Sequence, residues 1–345
     1  MIDQTPPTIG ERLARIIGAV SRDPAARADF EMSRLLDELK GLGAELVEDL
    51  TPEEARRQPS LADAARSLLA KAGGTPDDLG VTTEDLTYRG AEGDLPARLY
   101  RPRDAAGPLP TLLYFHGGGF VYGDFDAYDG GPRAMAAKAD CLVVSAHYRL
   151  APEHKFPAAH DDAAAAWDWL IGAAAAFGGD GTRFAVMGES AGANLAAHVS
   201  ISARDRGLRP PARQALVYPI AGSDLSTESY RLNADARPLG KELMLWIFGH
   251  ALLSPAERFD PRIDLVNSNA LAGLPPTTIV TADIDPLRSE GLALAEKLET
   301  AGVAVETLDY AGVTHGFFGL TDVVGHAREA QDAVGRSLKA AFGQG

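Results

Sequence analysis

Arg183-Phe184-Ala185-Val186-Met187-Gly188-Glu189-Ser190-Ala191-Gly192 is the stretch that decides how this chain is read. Phe184 to Met187 is an unbroken apolar run of strand character, and an alanine-rich stretch of helical character follows Gly192. Between them stands G-x-S-x-G, the pattern of a serine on a sharp strand-to-helix turn. Such a turn forces the serine into a strained backbone conformation, where side chains two residues to either side would collide. Glycine at 188 and 192 removes that collision. The turn lifts the Ser190 hydroxyl clear of the sheet and aims the N–H groups of the helix start at the same spot.

Strand and helix signals alternate on both sides of this turn. Apolar runs at 81–88 and 95–100 read as a hairpin joined through Gly90 and Gly93. Further runs lie at 111–115, 141–146, 184–187, 215–218, 277–281 and 303–308, with helical patterns at 161–171, 193–204 and 289–300 between them. β-branched runs separated by helices predict an α/β fold, with a mostly parallel eight-stranded sheet and helices on both faces.

Two regions depart from the alternation. Residues 1–80 read as helical: Thr51-Pro52-Glu53-Glu54 is a capping box with proline at the first helical position, followed by Leu61, Ala65, Leu68 and Leu69 at helical spacing. Gly73-Gly74-Thr75-Pro76 closes that region. Residues 221–274 hold several prolines and the apolar helix candidate 243–253. The expected division is 1–80 as N-terminal helices of a cap, 81–220 as the first part of a catalytic core, 221–274 as a cap insertion and 275–345 as the second part of the core.

Composition narrows the classes of function. The chain has 345 residues, 46% of them hydrophobic, enough for a large core. Its formal charge of −15 repels phosphate backbones and anionic lipid, so neither nucleic acid nor a membrane surface is an expected partner. Cys141 is the only cysteine and sits in the apolar run Cys141-Leu142-Val143-Val144, as a core residue would. Asp3 and Glu11 punctuate the N-terminus, and its one dense apolar cluster, Ile16-Ile17-Gly18-Ala19-Val20, is too short for a secretory leader. A soluble cytoplasmic protein is expected, and the sequence leaves a homodimer open.

Acyl transfer by a serine needs a base for the hydroxyl proton, a carboxylate to orient the base, and donors for the oxyanion. His315, in Thr314-His315-Gly316-Phe317, follows the final strand run. Asp285, in Asp283-Ile284-Asp285-Pro286-Leu287, follows the run 277–281, with Asp283 as a competitor. His116-Gly117-Gly118-Gly119 leaves the strand run 111–115, and bare backbone there can approach a ligand and present N–H groups. The expected oxyanion donors are Gly118, Gly119 and Ala191, with Gly117 serving the turn. No lysine follows these glycines as a phosphate cradle would need, and the histidines lack the spacing of a zinc site. No cofactor and no metal are expected.

The motifs together resemble the hormone-sensitive lipase-like family of α/β-hydrolases. They are His116-Gly117-Gly118-Gly119-Phe120, Tyr148-Arg149-Leu150-Ala151-Pro152-Glu153-His154, Gly188-Glu189-Ser190-Ala191-Gly192, Asp285-Pro286-Leu287 and His315-Gly316-Phe317, in family order. The resemblance implies Ser190, Asp285 and His315 as catalytic residues, a structural role for His116 in bracing the glycine loop, and a cap over the site. Glu189 stands where the family more often has aspartate and is read as a structural hydrogen-bond partner. The implied activity is hydrolysis of small-molecule carboxylic esters. The apolar run 243–248 is the candidate ceiling of the pocket, and the bulk of Trp246 and Phe248, taken as substrate contacts, points to short to medium acyl chains. A peptidase or amidase on the same fold is the competing enzyme. A ligand-binding receptor on this scaffold is the non-catalytic alternative, and it would be expected to lack a member of the Ser190, Asp285, His315 set.

Overall fold

The computed structural model describes residues 23–343. Asp3, Glu11 and the cluster Ile16 to Val20 lie outside the described residues. Strands β1 (Val81–Arg89), β2 (Asp94–Pro102), β3 (Leu109–Phe115), β4 (Leu142–Ala146), β5 (Gly179–Glu189), β6 (Gln214–Val217), β7 (Thr277–Ile284) and β8 (Val305–Thr314) form one sheet. Its order is β1-β2-β4-β3-β5-β6-β7-β8. β1 and β2 form the expected hairpin, β2 runs antiparallel to β4, and every later pairing is parallel.

Alternation along the central strands explains why the sheet is covered twice. Leu113, Val144, Val186, Leu216 and Ile279 enter one apolar cluster, while their neighbours Leu112, Val143, Ala185, Ala215 and Val280 enter the other. The helices are α1 (Phe30–Gly41), α2 (Pro52–Ala55), α3 (Leu61–Lys71), α4 (Gly130–Lys138), α5 (Ala158–Ala173), α6 (Ala191–Asp205), α7 (Glu228–Leu232), α8 (Lys241–Ala251), α9 (Arg288–Thr300) and α10 (Gly325–Ala341). Buried residues of α5, α6 and α9 belong to the first cluster, and those of α4 and α10 to the second. No helix among the described residues is long and apolar enough to cross a membrane.

The capping box at Thr51 and Glu54 forms, but the helix it starts ends at Ala55. A second capping box, Ser60 with Asp63, opens α3. The N-terminal segment also reaches the core: Asp29 N donates to Gly312 O at 2.8 Å, and Met32 and Leu35 of α1 are fully buried in the second cluster. Between β6 and β7 the chain passes through α7 and α8, and Trp246 Nε1 of α8 donates to Leu50 O at 3.0 Å. Cys141 is buried beneath α4, and burial raises its thiol pKa above the ordinary value.

Candidate active site

Register brings the candidate residues together at the C-terminal ends of the parallel strands, where ligands bind in open α/β sheets. Phe115 pairs with Gly188, so the His116 loop leaves β3 beside the serine turn that leaves β5. Ile284 pairs with Thr314, so the next residues along each strand, Asp285 and His315, emerge side by side. The pattern 303–308 places the end of β8 too early. The strand continues to Thr314, with a register shift in the β7–β8 pairing between Ala282 and Ile284.

Ser190 has φ 58° and ψ −118°, a conformation that L residues adopt only when their surroundings enforce it. A Cβ at Gly188 would lie 2.1 Å from Gly192 O, the collision the sequence pattern implies. Gly192 serves a different need, since its Cβ would lie 2.1 Å from Phe115 O on the neighbouring strand. The glycines let the turn form and let α6 start against β3.

His315 Nε2 lies 2.9 Å from Ser190 Oγ, and His315 Nδ1 lies 2.7 Å from Asp285 Oδ2. With Nδ1–H donating to the carboxylate, the Nε2 lone pair faces the hydroxyl, as a general base requires. Asp285 is fully buried, and its other oxygen accepts from Leu287 N at 2.8 Å. Asp283 points elsewhere and pairs with Arg27 at 3.2 Å. Asn233 Nδ2 donates to the carbonyls of both Asp283 and Asp285, tying the segment after α7 to the aspartate loop.

Opposite the serine, Gly118, Gly119 and Phe120 have φ of 98°, 62° and 65° in succession. Among the described residues, no hydrogen bond uses the amides of Gly118, Gly119 or Ala191. A turn of this kind beside a helix start offers convergent N–H donors for an anion. Gly117 is required by close approach: its Cβ would lie 2.6 Å from Tyr128 Oη and 3.1 Å from Ser190 Cβ. His116 Nδ1 lies 2.7 Å from Gly117 O, and Tyr148 Oη donates to His116 O at 2.9 Å. Nε2 of His116 meets His147 Nδ1 at 3.0 Å. Burial, reinforced by His147, pushes the His116 pKa down to about 3, so the ring is neutral and braces the loop.

Behind Ser190, the buried Glu189 carboxylate accepts from the Tyr114 and Tyr218 hydroxyls. Burial raises its pKa, against the opposing effect of the two tyrosine donors and the neighbouring His315 ring. The Tyr218 ring packs on the His315 imidazole with centroids 4.5 Å apart. Tyr218 was not a candidate from the sequence. The available signal was its place immediately after β6, at the same rim of the sheet.

A cavity of about 1120 Å³ opens above Ser190 and His315, walled by the N-terminal segment, the glycine loop and α8. Trp246 and Phe248 are not on its wall; Leu243 and Ile247 of α8 are. Trp246 instead packs on His250 at 4.4 Å and reaches Leu50 O, while Phe248 packs into the first apolar cluster. Positions 243 and 247 centre the face turned to the cavity, and at about 100° per residue 246 and 248 project about 80° and about 120° away from it, on opposite sides. The bulkiest side chains of α8 are therefore not the ones turned to the serine.

A sheet of this order, with a serine on the strand-to-helix turn and a histidine and aspartate beside it, defines an α/β-hydrolase. The profile of a family described as having the alpha/beta hydrolase fold matches residues 112–319. Carboxylesterase NlhH of Mycobacterium tuberculosis is 39% identical over 285 residues, which cover 81% of this chain and 88% of NlhH. Ethyl acetate hydrolase of Pseudomonas putida is 36% identical over 296 residues, covering 84% of this chain and 90% of that enzyme. The structure of a hyperthermophilic esterase from the archaeon Pyrobaculum calidifontis superposes with a TM-score of 0.77 at 37% identity, over 85% of this chain and 94% of that one. The chain belongs to the hormone-sensitive lipase-like family of carboxylesterases.

Proposed function

We propose that this carboxylesterase hydrolyses short- to medium-chain carboxylic esters through an acyl-enzyme on Ser190. Ser190 Oγ attacks the ester carbonyl while His315 Nε2 takes its proton, and Asp285 orients the imidazole and stabilises its charged form. The amides of Gly118, Gly119 and Ala191 hold the oxyanion. His315 then gives its proton to the departing alcohol, and a water activated by the same nitrogen releases the acid. Residues 1–80, of which those before Asp23 lie outside the described residues, and 221–274 form the proposed cap over 81–220 and 275–345, which supply the chemistry. The working compartment is the cytoplasm, and the charge of −15 supports a protein that keeps clear of anionic lipid and nucleic acid.

The observation that carries this reading is the Ser190–His315–Asp285 hydrogen-bond chain, 2.9 and 2.7 Å, at the floor of the cavity. Ser190→Ala should fold normally and lose about five to six orders of magnitude in turnover of nitrophenyl esters, the scale for removing a nucleophile of this kind. A serine-directed phosphonate should label the wild-type chain once, at Ser190. Turnover surviving in the alanine variant, labelling at another residue, or faster cleavage of a peptide anilide than of the esters would overturn the proposal.

A further inference from the structure

The glycine loop that carries Gly118 and Gly119 is held together by few bonds of its own. Val121 N and Tyr122 N both reach Gly118 O at 3.0 Å. Phe120 keeps φ 65° without being glycine, so contacts from outside the loop must hold it there. One such contact is Ala151 N donating to Phe120 O at 2.8 Å. A further contact, on the neighbouring carbonyls, comes from far away in the sequence. Arg56, just past α2, donates from Nε to Val121 O at 2.9 Å and from Nη2 to Ala151 O at 2.7 Å. The same guanidinium grips Glu153 through two bonds of 2.8 and 2.7 Å. It therefore closes a ring through both peptide segments that fix Phe120.

Resting on the assignment of Gly118 and Gly119 as oxyanion donors, we propose that Arg56 is a positioning residue for ester hydrolysis, making the donor geometry depend on docking of the N-terminal segment. Other contacts also tie that segment down, among them Trp246 to Leu50, Arg237 to Glu48 at 3.0 Å and Asp29 to Gly312 at 2.8 Å, and none of these three touches the glycine loop. Arg56 lines the same cavity as Gly118, Gly119 and Ser190, so its fork spans the gap between cap and chemistry. The Glu153 side chain is 55% exposed, and an ion pair so placed adds little to stability. Geometry is the contribution: a planar fork bonds two carbonyls and a carboxylate at once, which the point charge of lysine cannot do. Displacing an oxyanion donor by about 1 Å costs on the order of 100-fold in rate.

Arg56→Lys and Arg56→Ala separate positioning from simple cementing of the fold. Expected for both is a fall in kcat of about 10- to 100-fold with KM for nitrophenyl acetate within about 2-fold. Inhibition by an alkyl trifluoromethyl ketone, whose adduct with Ser190 places an anionic oxygen at the amides, should weaken by the same factor as kcat. Inhibition by the matching methyl ketone should not change. Should either variant be too unstable to assay, Arg56→Gln, which keeps part of the stem and one amide donor, is read the same way. A lowered Tm with wild-type kcat and ketone inhibition would overturn the proposal. Absence of phosphonate labelling at Ser190 in wild type would instead overturn the catalytic assignment beneath it.

Discussion

Truncating Ile247 tests which face of α8 limits the substrate. Ile247 is 2% exposed and lines the cavity, and a Cβ placed on Gly119 would meet its side-chain carbons at 2.6 Å. It therefore sits directly over the proposed oxyanion loop. Ile247→Ala removes three carbons, and each methylene that then fits gains about 0.8 kcal/mol of burial. An acyl chain longer by three carbons would gain about 2.4 kcal/mol, roughly 60-fold in kcat/KM. Stability should fall by about 2 kcal/mol, the low end for such a truncation, because one side of Ile247 already borders the cavity. The assay is the profile of kcat/KM across nitrophenyl esters from acetate upward, for wild type, Ile247→Ala, Trp246→Ala and Phe248→Ala. The optimum should move to longer acyl chains only in Ile247→Ala. A shift in Trp246→Ala or Phe248→Ala with none in Ile247→Ala would refute the face assignment, and an unchanged optimum in all three would place the pocket's limit elsewhere.

Asp285→Asn should cost about 10⁴ in kcat by misorienting the imidazole, while Asp283→Asn, losing only the half-exposed pair with Arg27, should cost less than about 3-fold. Steady-state kinetics of both variants decide it, and a reversed order would exclude Asp285 as the orienting group. Gly118→Val should lower kcat by at least about 100-fold with an unchanged circular dichroism spectrum, since its Cβ would lie 2.0 Å from Tyr122 O at φ +98°; near-normal turnover would remove Gly118 from the oxyanion site. Glu290 is buried, accepts from Ala221 N at 2.8 Å, and has its pKa raised well above the ordinary 4.5, chiefly by burial. A carboxyl that binds its proton more tightly folded than unfolded stabilises fully at low pH, and that contribution declines as pH rises above 4.5 towards the folded pKa, at up to about 1.4 kcal/mol per unit. Glu290→Gln lacks that slope, so its Tm should gain on wild type as pH rises; parallel Tm curves would contradict the assignment.

Much of this protein is written locally in its sequence. Apolar runs separated by helical patterns fix the number of strands, because a strand buried on both faces must be apolar at nearly every position. Gly188, Gly192 and the three glycines after His116 mark the turns, since only glycine tolerates such close backbone approach. The order Ser190, Asp285, His315 is likewise legible, as each stands beyond an apolar run of strand character. Long-range geometry supplies the rest. Asp283 and Asp285 differ only in that β7 ends between them, at Ile284, which the pairing with Thr314 determines. The true length of β8 escapes the pattern because Asp309-Tyr310-Ala311-Gly312 looks like a break, while sheet pairing carries the strand through it. The helix Leu243-Met244-Leu245-Trp246-Ile247-Phe248 is apolar all round, so periodicity cannot say which face meets the cavity; packing against Leu50 and the sheet cluster settles it. Arg56 reaches Val121 and Ala151 across 65 and 95 residues of chain, a meeting that no local pattern encodes and only the folded backbone brings about.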